Sequence, residues 1–507
     1  MYISKLTLND FRCFKGSQDL EFNKGINFFV GDNNSGKTTI FKAIEFIQSG
    51  KNKEDWISKN ANSKNVSVIV EFSGSDLSDI VKLNNLKKYS SYVSEDNKLT
   101  IMRSSEPGEW TDSKGSKKSL DLKNIRVLNP KTSSFENPSG IDSTITALFD
   151  AQFVYSDLKN EDYQDFGKTK IVGKLINDIT KDFQKNKVWL DLQTAHKEAF
   201  GENGLTPILK KVQKRIEKVL NEQYGETKVE FDFGLPAIEN FFKTGNILLE
   251  ENGIKTAAAD KGTGMQRALA LSLIQVYSQI DKSTVESDKS EDEIDKPILF
   301  FIDEPETFLH PQAQDKLLNS LEKISQNSQI FITTHSPYLL KKFNNANHSI
   351  KVFSRKTEEP RVKSGSDLNL FSFSPSWGEI NYFAFGVVSE EFHNELFGYL
   401  HNKVSSLNKS YDSGNKTVGK SIASFDSWLD EQSKVIKTNS KHQNKFNNNT
   451  DKTMPVYIRN YIDHPRDFID SAGNNIREKP TREEIRDSID FMVELLDDDK
   501  SSLTTFK

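Results

Sequence analysis

Apolar and polar positions largely alternate at the start of the chain: Ile3, Leu6 and Leu8, then Leu20 and Phe22, then Ile26, Phe28 and Val30. A period near two marks half-buried strands, so residues 2–30 predict antiparallel strands. Past residue 39 the period lengthens. Ile40, Phe41, Ile44 and Ile47 recur at helical spacing and predict a helix with one face on a sheet. Strand patterns return at 66–72 and 98–102, between connections rich in Ser, Asn and Lys, and predict a β-rich arm over 66–127. Residues 128–225 read as more helical, with long charged segments at 171–183 and 208–224. No heptad repeat is sustained there, so a long coiled-coil arm is not expected.

Two later runs, Ile298 to Ile302 and Gln329 to Thr333, are continuously apolar or nearly so, the pattern of strands covered on both faces. An apolar helix through Leu269, Leu271, Leu273, Ile274 and Val276 precedes them. The acidic, low-complexity stretch 281–296 between reads as a surface loop. Beyond residue 355 the pattern is helical. Residues 377–404 form an amphipathic pair, a tract rich in Ser, Asn and Lys covers 405–450, a helix follows at 456–464, and another starts at Thr481, where Thr481 and Glu484 make a capping box. The layout is an α/β head over residues 1–355 and an α-helical region over 356–507.

Composition narrows the class. A chain of 507 residues exceeds one compact core. A mean hydropathy of −0.61, with no run of about eighteen apolar residues and no signal-like N-terminus, predicts a cytoplasmic protein with no membrane partner. One cysteine, Cys13, excludes an internal disulfide and a cysteine-built zinc site. Sixty-eight basic against 73 acidic residues leave a net charge of −5, so no global field announces nucleic acid. The cluster Lys210, Lys211, Lys214, Arg215 and Lys218 reads as one solvated helix face.

Chemistry concentrates at the ends of the buried strands. The segment from Gly31 to Thr39 (Gly-Asp-Asn-Asn-Ser-Gly-Lys-Thr-Thr) lies between a strand and a helix, the setting of a phosphate-binding loop. Gly31 and Gly36 let the backbone curl, so that N–H groups from Asn33, Asn34, Ser35 and the helix start point at phosphate oxygens. Lys37 reaches the β- and γ-phosphates of ATP, and Thr38, followed by Thr39, offers a hydroxyl to Mg²⁺. Asp303 and Glu304 end a buried strand, Asp303 to hold the metal and Glu304 to orient or deprotonate the attacking water. His335 ends the next strand, placed to donate to the γ-phosphate.

Four segments in this order carry a resemblance: the glycine loop; Gly262-Thr-Gly-Met-Gln266 opening a helix; Ile302-Asp-Glu-Pro-Glu306 with His310-Pro311; and Thr334-His-Ser-Pro337. Together they resemble the ABC-type ATPase heads of the RecF and SMC superfamily, most closely the OLD-like branch. The resemblance implies a mixed-sheet head with a β-rich arm and a helical insertion. It also implies a head-to-head dimer or higher homo-oligomer, in which the signature turn Gly262, Thr263 and Gly264 caps the nucleotide of the opposite head. Thr263 departs from the usual Ser-Gly-Gly pattern. Gln152 is the counterpart of the family's Mg²⁺-sensing glutamine, and Lys37, Glu304 and His335 are the catalytic set.

The C-terminal third leaves the biology open. OLD nucleases of the Gabija type continue into a metal-dependent Toprim domain, and no early glutamate with a later Asp-x-Asp at strand ends follows His335; Asp497 to Asp499 read as a solvated helix cap. Arg459-Asn460 and His464 are similar to the Arg-Asn-x-x-x-His motif of HEPN ribonucleases, or form an ordinary helix-surface pair. A head without Toprim and with a helical tail resembles the ATPase subunits of anti-phage systems such as Septu and PARIS. That implies a separately encoded HNH or Toprim-like nuclease as partner, with nucleic acid a further one. Three readings stand: a nucleotide switch for a partner nuclease, a self-contained HEPN RNase gated by the head, and a RecF/SMC-like DNA-repair ATPase.

Overall fold

The computed structural model describes the chain except residues 60, 62, 83–84, 113–114, 157–179, 181–182, 202, 232–233, 235–246, 280–296, 308, 342, 345, 355–359, 366–367, 369, 407–409, 412–415, 418–420, 433–451, 465–477 and 503–507. Two compact units are built from interleaved segments. The first is Met1–Phe153, Glu291–Glu306 and Ser328–Lys507; the second is Val154–Ser290 and Thr307–Asn327.

In the first unit, β1 (Tyr2–Asn9), β2 (Ser17–Glu21) and β3 (Ile26–Gly31) open the chain. Then come β4 (Ser67–Ser73), β5 (Lys98–Ser104), the hairpin of β6 (Gly108–Thr111) and β7 (Lys117–Leu120), β8 (Ile125–Asn129) and β9 (Ser134–Glu136). An antiparallel six-stranded sheet takes the order β2-β1-β4-β5-β8-β9. The strands of 66–127, expected as an inserted arm, therefore continue the sheet that β1 begins. Val68, Val70, Phe72, Leu99, Ile101 and Val127 are fully buried, like Ile3, Leu6 and Leu8. Their alternation marks them as strands and carries no information on which strand each pairs with.

The second sheet uses β10 (Asp150–Val154), β13 (Ile298–Asp303), β14 (Gln329–Thr333), β15 (His348–Ser354) and β16 (Arg361–Ser364), in the order β10-β13-β14-β3-β15-β16. β13, β14, β3 and β15 run parallel, and β16 returns antiparallel. This corrects the antiparallel expectation for β3. All six of its residues are buried, as a central parallel strand requires. Asn27 is the polar residue of the run. Its amide is satisfied inside: the oxygen accepts from Asn23 N (2.9 Å) and Ser349 Oγ (2.8 Å), and the nitrogen donates to the Asn23 carbonyl (2.9 Å).

The helix Thr39–Ser49 follows the glycine loop and buries Ile40, Phe41, Ile44 and Ile47 as their spacing predicts. Its C-terminal end is held by buried Arg103 of β5, whose guanidinium donates to the Ile47 carbonyl at 3.1 Å.

Five C-terminal helices, Trp377–Phe385, Glu390–Ser406, Ile422–Asp430, Met454–Asp463 and Arg482–Ser502, belong to this unit. Phe392, Leu396, Leu400, Phe425, Ile458 and Ile489 lie in one shared core. The expected capping box is present. Thr481 N donates to Glu484 Oε2 (2.8 Å) and Glu484 N to Thr481 Oγ1 (3.2 Å). A second box, Ser376 with Glu379, starts the helix Trp377–Phe385.

The second unit holds the helices Lys187–Phe200, Thr206–Tyr224, Thr263–Gln279 and Pro311–Ser325, with the hairpin of β11 (Leu248–Glu251) and β12 (Ile254–Ala257). Lys210, Lys211, Lys214, Arg215 and Lys218 are all exposed on Thr206–Tyr224. The loop expected at 281–296, nearly all of the helical segment at 171–183, much of the tract at 405–450 and the side chains of 497–499 lie outside the described residues.

His393 is fully buried in the helical core, its Nε2 3.0 Å from Ser488 Oγ and its Nδ1, among the described residues, without a hydrogen-bond partner. Burial pushes its pKa down to about 3. In the unfolded chain the ring titrates near 6.5, so the unfolded state binds the extra proton between those values and stability falls as pH drops below about 6.5. At pH ~5 the loss amounts to about 2 kcal/mol. Urea titrations at neutral and mildly acidic pH should show this loss in the parent and not in His393→Gln; equal losses in both would contradict it.

Candidate nucleotide-binding site

Parallel pairing brings three strand ends to one edge. The register sets Asp303 of β13 beside Thr333 of β14, Thr333 beside Phe29 of β3, and Gly31 of β3 beside Phe353 of β15. The loop leaving β3 turns through Gly31 (φ +126°), Asn34 (φ +58°) and Gly36 (φ +100°) before the helix. Ser35 Oγ closes the turn by donating to the Asp32 carbonyl at 2.7 Å.

Lys37 is buried at the centre. Its Nζ donates to the carbonyls of Gly31 (3.0 Å) and Asp32 (2.7 Å). Burial lowers its pKa to about 8, against the pull of Glu304, Asp303, Asp32 and Glu306. A phosphate bound in the loop would replace those two carbonyls as the lysine's partner.

Thr38 Oγ1 donates to Asp303 Oδ1 at 3.2 Å, and Thr333 Oγ1 donates to the same oxygen. A hydroxyl and a carboxylate side by side are hard oxygen donors that suit Mg²⁺, and Thr38 and Asp303 would hold it. Glu304 leaves the strand in the left-handed region, φ +45°, an uncommon conformation for a side-chain-bearing residue. Its N–H donates to the Thr333 carbonyl (3.0 Å) and also lies 3.1 Å from Thr333 Oγ1. His335 Nε2 lies 3.6 Å from Glu304 Oε1. Burial, then the charge of Lys37, lowers the His335 pKa, favouring the neutral ring.

The structure therefore gathers Lys37, Thr38, Asp303, Glu304 and His335 at one sheet edge. The remaining expected site residues have their own local settings. Gln152 is buried in β10, and its amide donates to Asp150 Oδ1 at 2.7 Å. Gly262 precedes the helix Thr263–Gln279 in the second unit, with Thr263 and Gly264 in its first turn and nothing within 4 Å of where a Cβ on Gly262 would stand. Arg459 forms an ion pair with Asp463 one turn on in its own helix (2.7 Å), and exposed His464 caps that helix in the C-terminal bundle.

Three side chains at the site had no assigned role in the sequence. Thr333 shares Asp303 with Thr38, Glu306 binds the segment carrying His335, and Cys13 Sγ sits 3.4 Å from Thr39 Oγ1 behind the loop. The signal for Glu306 was its place directly after Asp303-Glu304-Pro305.

A glycine loop between a central parallel strand and a helix, with paired carboxylates at the end of the next strand but one, defines a P-loop nucleotide-binding head. Residues 1–340 match the model of the AAA ATPase domain family, and the chain belongs to that family. Its similarity to OLD proteins places it in the ABC-type OLD/RecF/SMC-like group of ATPases. It is 26% identical over 394 residues to the Old nuclease of Escherichia phage P2, covering 72% of this chain and 64% of that protein. It is 22% identical over 358 residues to the OLD nuclease of Thermus scotoductus, covering 66% and 59% respectively. The chain thus spans about three-fifths of the length of these relatives. Among solved structures, an Smc head bound to the C-terminal winged-helix domain of ScpA aligns with 72% of this chain and 98% of its own, at 17% identity and a TM-score of 0.42. Among the described residues no helix is long and apolar enough to cross a membrane.

The two loop glycines should fail differently. A Cβ on Gly31 would overlap the backbone carbonyl of Phe353 in the β3–β15 pairing, whereas one on Gly36 would lie 2.6 Å from the movable Cys13 Sγ. Gly31→Ala should lower stability by about 2 kcal/mol or more, and Gly36→Ala should stay folded but lose nucleotide affinity. Urea midpoints with fluorescent-nucleotide titrations check both; equal stability losses would refute the distinction.

Proposed function

We propose that the chain binds and hydrolyses ATP with Mg²⁺ and acts as a nucleotide-dependent switch for a partner nuclease in bacterial anti-phage defence. The observation that carries the ATPase reading is the meeting of Lys37, Thr38, Asp303, Glu304 and His335 at one strand edge. In this reading Lys37 and the N–H groups of the loop hold the phosphates, and Thr38 with Asp303 holds the metal. Bound there, Mg²⁺ supplies charge neutralisation at the phosphate oxygens. Glu304 accepts the proton of the attacking water, and neutral His335 donates to the γ-phosphate oxygen beside it. Gln152 would join the metal's surroundings through its amide oxygen, its nitrogen donating to Asp150.

Pairing of two heads would bring Gly262, Thr263 and Gly264 of one copy over the nucleotide of the other, and the open surroundings of Gly262 favour such an approach. Similarity to the phage P2 Old nuclease supports a link to nucleic-acid cleavage. A separate HNH or Toprim-like nuclease is the partner that the resemblance to Septu and PARIS ATPase subunits implies. The C-terminal helices are the proposed docking region, and the cytoplasm the proposed compartment. The HEPN alternative would need Arg459 released from Asp463.

Glu304→Gln keeps the loop and Asp303 intact, so it should bind ATP·Mg²⁺ with parent affinity, hydrolyse it at least ~100-fold more slowly, and accumulate as the paired form. Phosphate release and light scattering with ATP measure this. Parent-rate hydrolysis by the variant would overturn the role of Glu304. RNA cleavage by the purified chain that is lost in His464→Ala would move the reading to a HEPN RNase. DNA-stimulated hydrolysis independent of any nuclease would move it to a repair ATPase.

A further inference from the structure

Glu306 stands three residues past Asp303, beyond the end of β13, and is buried. Its hydrogen bonds go to the neighbouring strand end. Oε1 accepts from the Thr334 hydroxyl at 2.8 Å and from the His335 backbone N–H at 2.7 Å. Oε2 is also buried and, among the described residues, meets no donor. Burial raises the pKa of this carboxyl, and the charge of Glu304 raises it further. A buried carboxyl with one oxygen doubly engaged and the other unmet is unfavourable for folding alone, since a buried unsatisfied polar atom loses its hydration without compensation. If Glu306 merely filled space, its partners would have no reason to be the two residues that place the imidazole.

We propose that Glu306 is a positioning residue: its carboxylate fixes the main chain at Thr334 and His335 and thereby sets where the His335 ring stands beside Glu304. The inference rests on the ATPase reading for its consequence, and on geometry for its cause. One bond goes to a backbone N–H, so the anchoring is independent of the histidine's own side chain. Thr334 reinforces it, because its hydroxyl oxygen also accepts from Ser336 N at 2.9 Å. The segment is thus held at three successive residues. The asymmetry of the two oxygens predicts which replacements work. A glutamine carbonyl can sit at the Oε1 position and keep both bonds. Aspartate is one methylene too short to reach the same donors, and alanine leaves a buried N–H and hydroxyl unpaired.

The test uses the full chain and variants Glu306→Ala, Glu306→Asp, Glu306→Gln, His335→Ala and the double variant Glu306→Ala/His335→Ala. The imidazole of His335 is followed by NMR with carbon-labelled histidine, its signal assigned by its loss in His335→Ala. Expected are a displaced His335 signal in Glu306→Ala and Glu306→Asp, and its return toward the parent position in Glu306→Gln. In hydrolysis, Glu306→Ala should lower kcat roughly tenfold with the KM for ATP moved less than about threefold, Glu306→Gln should recover most of that loss, and Glu306→Ala should add nothing in the His335→Ala background. An unmoved His335 signal in Glu306→Asp, or fully additive losses in the double variant, overturns the proposal. If the parent chain does not hydrolyse ATP, the ATPase reading fails while the NMR result still decides whether Glu306 positions the ring. If Glu306→Ala does not fold, the aspartate and glutamine variants decide it.

Discussion

The parallel alignment of β13, β14 and β3 is the constraint on which the site depends. Asp303, Thr333 and Gly31 lie at the carboxyl ends of strands whose register is set by a shared ladder. Shifting one strand by a single residue would turn its side chains to the opposite face and separate the oxygens that now meet. The Thr38 and Thr333 hydroxyls on Asp303 Oδ1 join three parts of the sequence: the helix start after β3, the end of β13 and the end of β14. Phe29, Phe301 and Phe331 fill the interior on these same strands, with the rings of Phe301 and Phe331 stacked at 4.8 Å. Packing sets the register, and the register sets the chemistry.

The charges gathered there are unfavourable in isolation and tolerable together. Lys37 is pulled toward neutrality by burial and held cationic by four acidic side chains around it. Glu306 is pulled the same way from the acidic side, and backbone and hydroxyl donors oppose that pull. Such a site suits the proposed polyanion and metal, because both signs of charge are already desolvated and need little reorganisation. The left-handed backbone of Glu304 fits the same account: the fold holds an uncommon conformation at the residue proposed to act on the attacking water.

What could be read from the sequence was whatever the chemistry compresses into a few residues. The nine residues from Gly31 to Thr39, the pair Asp303-Glu304 and the position of His335 after an apolar run carry their geometry locally. The fold of the strands did not yield in the same way. Residues 26–30 were expected to pair antiparallel like those before them, whereas β3 lies parallel between β14 and β15, and a partner of its buried Asn27, Ser349, is 322 positions away. The strands of 66–127 were legible as strands, and their membership of the sheet of β1 was not, since pairing is a property of two segments. Glu306 escaped for the same reason, its donors lying 28 and 29 positions on. In the helical region the reverse held: capping at Thr481 and apolar spacing are short-range, and both were readable.

The segment that carries His335 also leads out of the nucleotide site. Directly after it, Ser336 caps the short helix Pro337–Leu340, and the Pro337 carbonyl accepts from Trp377 Nε1 at 3.2 Å. Trp377 opens a helix whose cap residue Ser376 donates to Glu395 Oε2 of the helix Glu390–Ser406 (2.8 Å), and Glu379 of the same cap is fully buried. One continuous run of hydrogen bonds thus joins Glu306, the His335 segment and the C-terminal helical core within a single compact unit. Spatial continuity alone does not make a switch; that needs two arrangements whose balance nucleotide binding alters. At Glu306 one carboxylate oxygen holds two donors, and the other, among the described residues, holds none. In the proposed switch, a second arrangement of the His335 segment would have to break both of its bonds to Glu306 Oε1, and Pro337 and Trp377 are where such a movement would meet the helices.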